Sequence, residues 1–447
     1  MNGKPITRLM LPLLILVIAL AMSLEGAYAS KGAYASITPG MPYGESQPLG
    51  GDPSAYYYNG RTYVTWQGPD LDPYVAYYSN GNWTGPVRVG DNPLTNDDHG
   101  APAILVDNSG YIHIMYGCHQ SAVKYAKSTN PEDIAAWTAM PDPVSAVRGG
   151  TYLHLVMDSS GSIYLIYRSS KVGVGGVNSL VADIIKSTDG GATWSAPQDL
   201  IDIYDTQFLD GIYLLYGGVS YEASSNKIHL AWDRYNSTST RREDLYYAYL
   251  NLNDNNMYSI SGTNLGTTIT QAEADANCKV VDSGNTGTNL ATVRIDSTGR
   301  PYLIYLASTT PTWGWKYNFT RWTGSAWSAP VTITTTDDSS QANEFFVHSS
   351  TNIEAYLVGP GSTPTRGGDV ERWSWDGSTW TKVSTILREA DVSFGLNNPM
   401  RVYNGVDLKI VFTEVHTDWP TIIDEFTISN LRIFAYYGPQ LIVKQRS

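Results

Sequence analysis

Short runs in which apolar and polar residues alternate recur along the chain, and turn residues separate them. Ile104-Leu105-Val106 leads through Asp107-Asn108-Ser109-Gly110 into Tyr111-Ile112-His113-Ile114. The pattern returns as Leu155-Val156-Met157, Asp158-Ser159-Ser160-Gly161 and Ser162-Ile163-Tyr164-Leu165. It returns again as Val293-Arg294-Ile295, Asp296-Ser297-Thr298-Gly299 and Arg300-Pro301-Tyr302-Leu303. Alternation of this period predicts strands, and the Asp-x-x-Gly turn joins two of them antiparallel, with glycine supplying the positive φ. A Tyr-rich strand and a Trp-bearing turn follow each hairpin, and helical periodicity is nearly absent.

All-strand repeats of about 40–50 residues are the signature of a propeller. The expected fold is all-β, a seven-bladed β-propeller of four-stranded antiparallel blades. The units fall at 48–95, 96–146, 147–205, 206–270, 284–337, 338–390 and 391–440. A pair of β-sandwiches and a β-helix are the alternatives. The period is too long for a β-helix rung, and the Trp-Thr/Ser turns suit blade ends. One turn is sharper than the rest. Ser187-Thr188-Asp189-Gly190-Gly191-Ala192-Thr193-Trp194 fits the Asp-box pattern S-x-D-x-G-x-T-W. Ser187, Asp189, Gly191 and Trp194 are expected to build a structural hairpin turn, with the Asp capping turn amides and the Trp packing between strands.

The amino terminus is different. Lys4 and Arg8 precede an apolar run, Leu9 to Leu24, and Ala27-Tyr28-Ala29 offers a small-x-small cleavage site. Residues 1–29 read as a secretory signal peptide rather than a retained anchor. A second site, Ala33-Tyr34-Ala35, leaves the cut open. Residues 30–47 are then a lead-in segment, 48–440 a single propeller domain and 441–447 a tail. The protein is expected to be secreted, periplasmic or on the cell surface, with no membrane contact after cleavage.

The net charge is −13, and losing Lys4, Arg8 and Glu25 with the leader makes it −14. That balance argues against nucleic-acid binding. An acidic polymer would need a locally basic cleft. Cys118 and Cys278 are too few for a disulfide framework and read as two buried thiols. No Cys/His spacing suggests a metal site, so no cofactor is identified; exposed Asp-rich turns offer no defined ligand set for a structural ion.

Candidate chemistry lies in two adjacent hairpins. His99 precedes the first strand of unit two, and His119 ends its second strand. Tyr152 and Arg168 occupy the matching places in unit three. An antiparallel return carries His119 back to the end where His99 started, and Arg168 back to the end where Tyr152 started. The matching place in unit four lies near Tyr213 to Tyr221. A base, a phenol and fixed positive charge suit proton abstraction beside a carboxylate. His113 and His154 alternate with apolar residues and read as packing or surface groups. Trp313-Gly314-Trp315 reads as a sugar-stacking loop or as packing, and Arg241-Arg242-Glu243-Asp244 as a solvated turn.

Asp97-Asp98-His99, Tyr116-Gly117-Cys118-His119, Thr151-Tyr152 and Tyr167-Arg168 resemble the BNR-repeat seven-bladed propellers that include the ulvan lyases. The resemblance implies cleavage of a uronate-containing, ulvan-like polysaccharide by β-elimination. It implies that His99 and Tyr152 form the acid/base pair and that His119 and Arg168 hold the substrate carboxylate. It also implies a further tyrosine, Tyr216 or Tyr221. Gly100 after His99 and Leu153-His154 after Tyr152 depart from the family pattern. Two other functions compete: a non-catalytic carbohydrate-binding propeller, and a sialidase-like hydrolase, for which no early arginine motif is found.

Overall fold

The alternating runs form hairpins stacked into antiparallel sheets. In this computed structural model the described residues are 34–37, 41–42, 49–93, 99–117, 121–172, 178–203, 211–236, 239–284, 286–308, 314–337, 342–361, 367–388, 395–406, 408–415, 428–429 and 432–438. The predicted leader, His119, Trp313 and the tail at 441–447 lie outside them, as does most of the lead-in.

Three sheets are four strands each, in chain order from one edge to the other. They are Ala103–Val106 through Trp137–Val144, Thr288–Ile295 through Val331–Thr336, and Asn343–Ser349 through Trp380–Leu387. Strands Thr151–Met157, Ile163–Val172, Asn178–Ser187 and Gln198–Asp202 repeat the arrangement. Strand Gly211–Tyr213 links them to the next hairpin, Lys227–Asn236 with Arg241–Asn251. Chain ends meet in one further sheet. Ala55–Tyr58 pairs parallel with Gly395–Tyr403, and Tyr34–Ile37 pairs with Ile433–Tyr436 near the carboxyl end.

In the second unit burial falls across the sheet in chain order. Ala103–Val106 and Ile112–Tyr116 are buried throughout, whereas Trp137–Val144 is mostly exposed. The last strand of that sheet is therefore its open edge. Apolar residues of the first two strands of units two and three pack together: Ile104, Ile114, Leu155 and Leu165 share one core cluster. Burying each such side chain contributes about 1.5–3 kcal/mol.

The repeated turns share one hydrogen-bond plan. The Asp107 carboxylate accepts from the Ser109 and Tyr111 amides at 2.9 Å, and Asp296 accepts from those of Thr298 and Arg300 at 2.8 and 3.0 Å. The second oxygen reaches the residue six positions on: His113 from Asp107, Tyr164 from Asp158 and Tyr302 from Asp296, each at 3.1 Å. His113 is thus a structural histidine, and its other ring nitrogen meets the Tyr125 hydroxyl at 2.6 Å. His154 is structural too, lying 3.4 Å from the Asp52 carboxylate and 3.3 Å from the Leu214 carbonyl oxygen.

The Asp box forms as its pattern predicts. Asp189 accepts from the Thr193 amide at 2.9 Å and from its hydroxyl at 2.6 Å, while Ser187 donates to Asp189 at 2.8 Å. These bonds hold the Asp189 carboxyl down at about 2. Gly191 has φ 85°, and a methyl there would stand 2.1 Å from the Tyr125 hydroxyl. Trp194 meets the same Tyr125 ring edge-on, with centroids 6.2 Å apart, so the box locks onto the neighbouring sheet.

One element escaped the strand pattern. Residues Gln271–Asn277 form an α-helix (α1), opened by a capping box between Thr270 and Glu273. Cys278, a free and buried thiol, closes it. Strand Lys279–Val281 then adds to Arg241–Asn251, which widens unit four beyond residue 270. Among the described residues no helix is long and apolar enough to cross a membrane.

Candidate active site

Tyr152 owes its position to a break in strand pairing. Thr151 pairs with Arg168 and His154 with Ile166, so the register shifts between them, as at a β-bulge. Tyr152 sits in that bulge with φ 54°. A bulky side chain in the left-handed region costs about 1–2 kcal/mol, and such strain concentrates where a side chain must be aimed. Leu290 and Asn398 take the same conformation at matching register shifts in two other units. Tyr216, φ 41°, takes it in the short turn Tyr216–Gly218 of unit four.

The bulge turns the Tyr152 ring into a cluster of aromatic and basic groups. Its centroid lies 6.1 Å from the His99 ring at 65° and 6.4 Å from the Tyr213 ring. The Arg168 guanidinium carbon lies 4.5 Å from the Tyr152 centroid and 4.9 Å from that of Tyr213. Arg242 covers the Tyr213 ring at 3.9 Å and donates to the Asn289 side chain. Tyr235 joins through Tyr213, with centroids 6.2 Å apart. Cation–π contacts of this kind contribute about 0.5–2 kcal/mol each and fix where the charge points. Tyr152 and Arg168 are buried, whereas His99, Tyr213 and Arg242 are partly open to solvent. An acidic protein therefore carries two guanidinium groups at one aromatic cleft.

The adjoining cavity, about 240 Å³, is lined by Arg148, Thr151, Arg168, Ser169, Leu180 and Tyr213 among others. Arg148 is held back from a ligand. It makes a two-pronged contact with Asp183 at 2.7 and 2.9 Å and also pairs with Asp199. Ser169 donates to the same Asp183 at 2.6 Å. Burial lifts the Asp183 carboxyl to about 6, against the pull of Arg148 and Ser169. Arg148 with its two carboxylates is a wall of the cavity.

His99, Tyr152 and Arg168 thus come together, from two adjacent hairpins. His119 lies outside the described residues. Of the two further tyrosines, Tyr216 shares a core cluster with Tyr152 and the electrostatic field of Arg242. Tyr221 is elsewhere: its hydroxyl accepts from the Ser159 amide at 3.2 Å and donates to Asn226 at 3.1 Å, bracing a hairpin turn. Tyr213 fell within the range marked in the sequence, but Tyr235 and Arg242 did not stand out there. Arg242 reads as part of a solvated turn, yet it lies in a strand, paired with Tyr235. The available signal was length: the central hairpins of units three and four use strands of 10 or 11 residues, longer than those of unit two. Among the described residues, no group of three or more His, Cys, Asp or Glu is placed to hold a metal ion.

A phenol, an imidazole and two guanidinium groups around one cleft can move a proton next to a stabilised anion. Comparison with known proteins agrees in kind. The chain is 28% identical over 387 residues to an ulvan lyase of Alteromonas sp. (strain LOR), covering 77% of each. It is 26% identical over 397 residues to an ulvan lyase of Nonlabens ulvanivorans, covering 80% of this chain and 81% of that one. A solved PL25 ulvan lyase superposes with a TM-score of 0.73 at 22% identity, over 90% of this chain and 96% of the other, which shows a shared fold. A second structure of that lyase family, described as bound to -[GlcA(1-4)Rha3S]-, gives 0.72 over the same shares. Residues 61–333 match the BNR repeat-containing family, well over half of the chain, and the protein belongs to that family.

Proposed function

We propose that this protein is a polysaccharide lyase that cleaves a sulfated, uronate-containing polysaccharide of the ulvan type by β-elimination. The observation that carries the reading is the convergence of His99, Tyr152 and Arg168 on one cleft, in a chain related over most of its length to ulvan lyases. The C5 proton of a uronate is weakly acidic because the neighbouring carboxylate resists a second negative charge. Arg168, sharing this role with His119 as the family resemblance implies, meets that carboxylate and stabilises the enolate-like state as charge develops. His99, with a reference pKa of about 6.5, takes the proton. Tyr152, a phenol with a proton to donate, gives one to the departing glycosidic oxygen. The bond from C4 to that oxygen breaks, a C4–C5 double bond forms, and no water is added.

The sheets are read as blades of a seven-bladed propeller, with the cleft over its axis at one end of the innermost strands. Support comes from the parallel pairing of Ala55–Tyr58 with Gly395–Tyr403, which joins the first unit to the last. Export is read from the leader at 1–29. Cleavage after Ala29 keeps strand Tyr34–Ile37 whole, whereas a cut after Ala35 would split it, so the exported chain should begin at Ser30. Its amino-terminal sequence checks this.

Incubation with ulvan tests the function. The expected products are oligosaccharides with an unsaturated uronate at the new non-reducing end, one water lighter than hydrolysis products. Saturated products would indicate a hydrolase. Intact polymer with retained binding would indicate a carbohydrate-binding propeller.

A further inference from the structure

Strand Lys227–Asn236 carries Asp233, which is 1% exposed. Neither of its carboxylate oxygens has a hydrogen-bond partner among the described residues. Buried polar groups are nearly always bonded, so an orphan carboxyl on a strand that borders the site calls for a role.

Register shows where it stands. In unit three Leu155, three residues beyond the bulged Tyr152, pairs with Leu165, and Arg168 follows three residues later. In unit four Val219, three residues beyond Tyr216, pairs with Leu230, and Asp233 follows three residues later. Asp233 therefore occupies in unit four the position that Arg168 occupies in unit three. Its backbone pairs with that of Tyr213, whose ring both Arg168 and Arg242 lie against. The charged group acting on Asp233 is Arg242, from the neighbouring strand Arg241–Asn251. The same guanidinium also feels Tyr213 from strand Gly211–Tyr213, Tyr216 from its turn and Tyr152 from its bulge.

We propose that Asp233 is a positioning residue that sets how much of the Arg242 charge faces the bound sugar chain. Protonated, Asp233 leaves the guanidinium to an anionic group of the substrate. Ionised, it draws that charge inward and weakens the contact. Burial lifts the carboxyl to about 7 against the pull of Arg242, so both forms exist near neutral pH. The sign follows from linkage. An anion bound at Arg242 offsets the charge that favours ionised Asp233, so binding takes up a proton and affinity falls as pH rises through about 7. The proposal rests on the lyase reading for the nature of the ligand.

Steady-state kinetics on ulvan, from about pH 5 to about pH 9, compare the parent protein with Asp233→Asn, Arg242→Gln and the double variant. The parent KM should rise above pH 7, by up to roughly tenfold at the alkaline end. Asp233→Asn should remove that rise and match the parent at low pH. On the Arg242→Gln background the Asp and Asn forms should agree at every pH. A parent and an Asp233→Asn variant with parallel KM profiles would overturn the proposal. So would a difference that persists without Arg242. A purely structural role would change kcat and KM together across the whole range.

Calorimetry with a sulfated glucuronate–rhamnose oligosaccharide, in buffers of different ionisation enthalpy near pH 7, covers a variant that fails to fold or a parent without turnover. The parent should take up protons on binding, and Arg242→Gln should take up fewer. Absence of turnover alone counts against the lyase reading. Binding without proton uptake counts against the role of Asp233, and absence of binding counts against both.

Discussion

Replacing His99 with alanine should lower the rate of β-elimination roughly 10²- to 10⁴-fold while leaving the fold and polymer binding in place. The His99 ring lies 6.1 Å from the Tyr152 ring and is partly open to solvent, so a substrate can reach it. It stands at a turn before strand Ala103–Val106 rather than in the packed core, so its loss removes little apolar contact. The effect should fall on kcat, with KM changed little, because proton transfer is made only in the transition state. An unchanged melting temperature would show that the loss is chemical. Turnover at the parent rate in a well-folded His99→Ala protein would remove His99 from the mechanism.

Tyr152→Phe should cost a comparable factor, roughly 10²- to 10⁴-fold in kcat. This change isolates the hydroxyl. The ring remains against His99, Arg168 and Tyr213, and the left-handed backbone at φ 54° is as strained with Phe as with Tyr. Affinity for the oligosaccharide should therefore hold within a few-fold while turnover collapses. A variant retaining most of its kcat would leave Tyr152 as a stacking platform for Arg168 and pass the proton transfer to another group, with Tyr216 the first to examine.

The hairpins were legible because alternation, Asp-x-x-Gly turns and the Asp box each have a local cause that needs no tertiary context. The meeting of Tyr152 with Arg168 was legible for the same reason: an antiparallel return brings the end of one strand beside the start of its partner, and Thr151 does pair with Arg168. Choosing between Tyr216 and Tyr221 required the bulge. Tyr216 falls at the positive-φ position that aims a side chain inward, while Tyr221 lies five residues on, beside a hairpin turn. Arg242 was hidden because four consecutive charged residues look like a solvated turn. Strand Arg241–Asn251 instead begins at that run, and the Tyr213 ring gives its guanidinium a partner. Asp233 gave no signal, since what marks it is the absence of a hydrogen-bond partner among the described residues. The helix Gln271–Asn277 could have been found from Thr270-Gln271-Ala272-Glu273, whose capping box is present in full.

The ultraviolet absorbance of an ulvan solution, followed in time with the parent protein and with His99→Ala in parallel, distinguishes β-elimination at His99 from every other reading of the cleft. A steady rise from the conjugated C4–C5 double bond is expected with the parent and almost none with the variant. New reducing ends released without any rise in absorbance would contradict it.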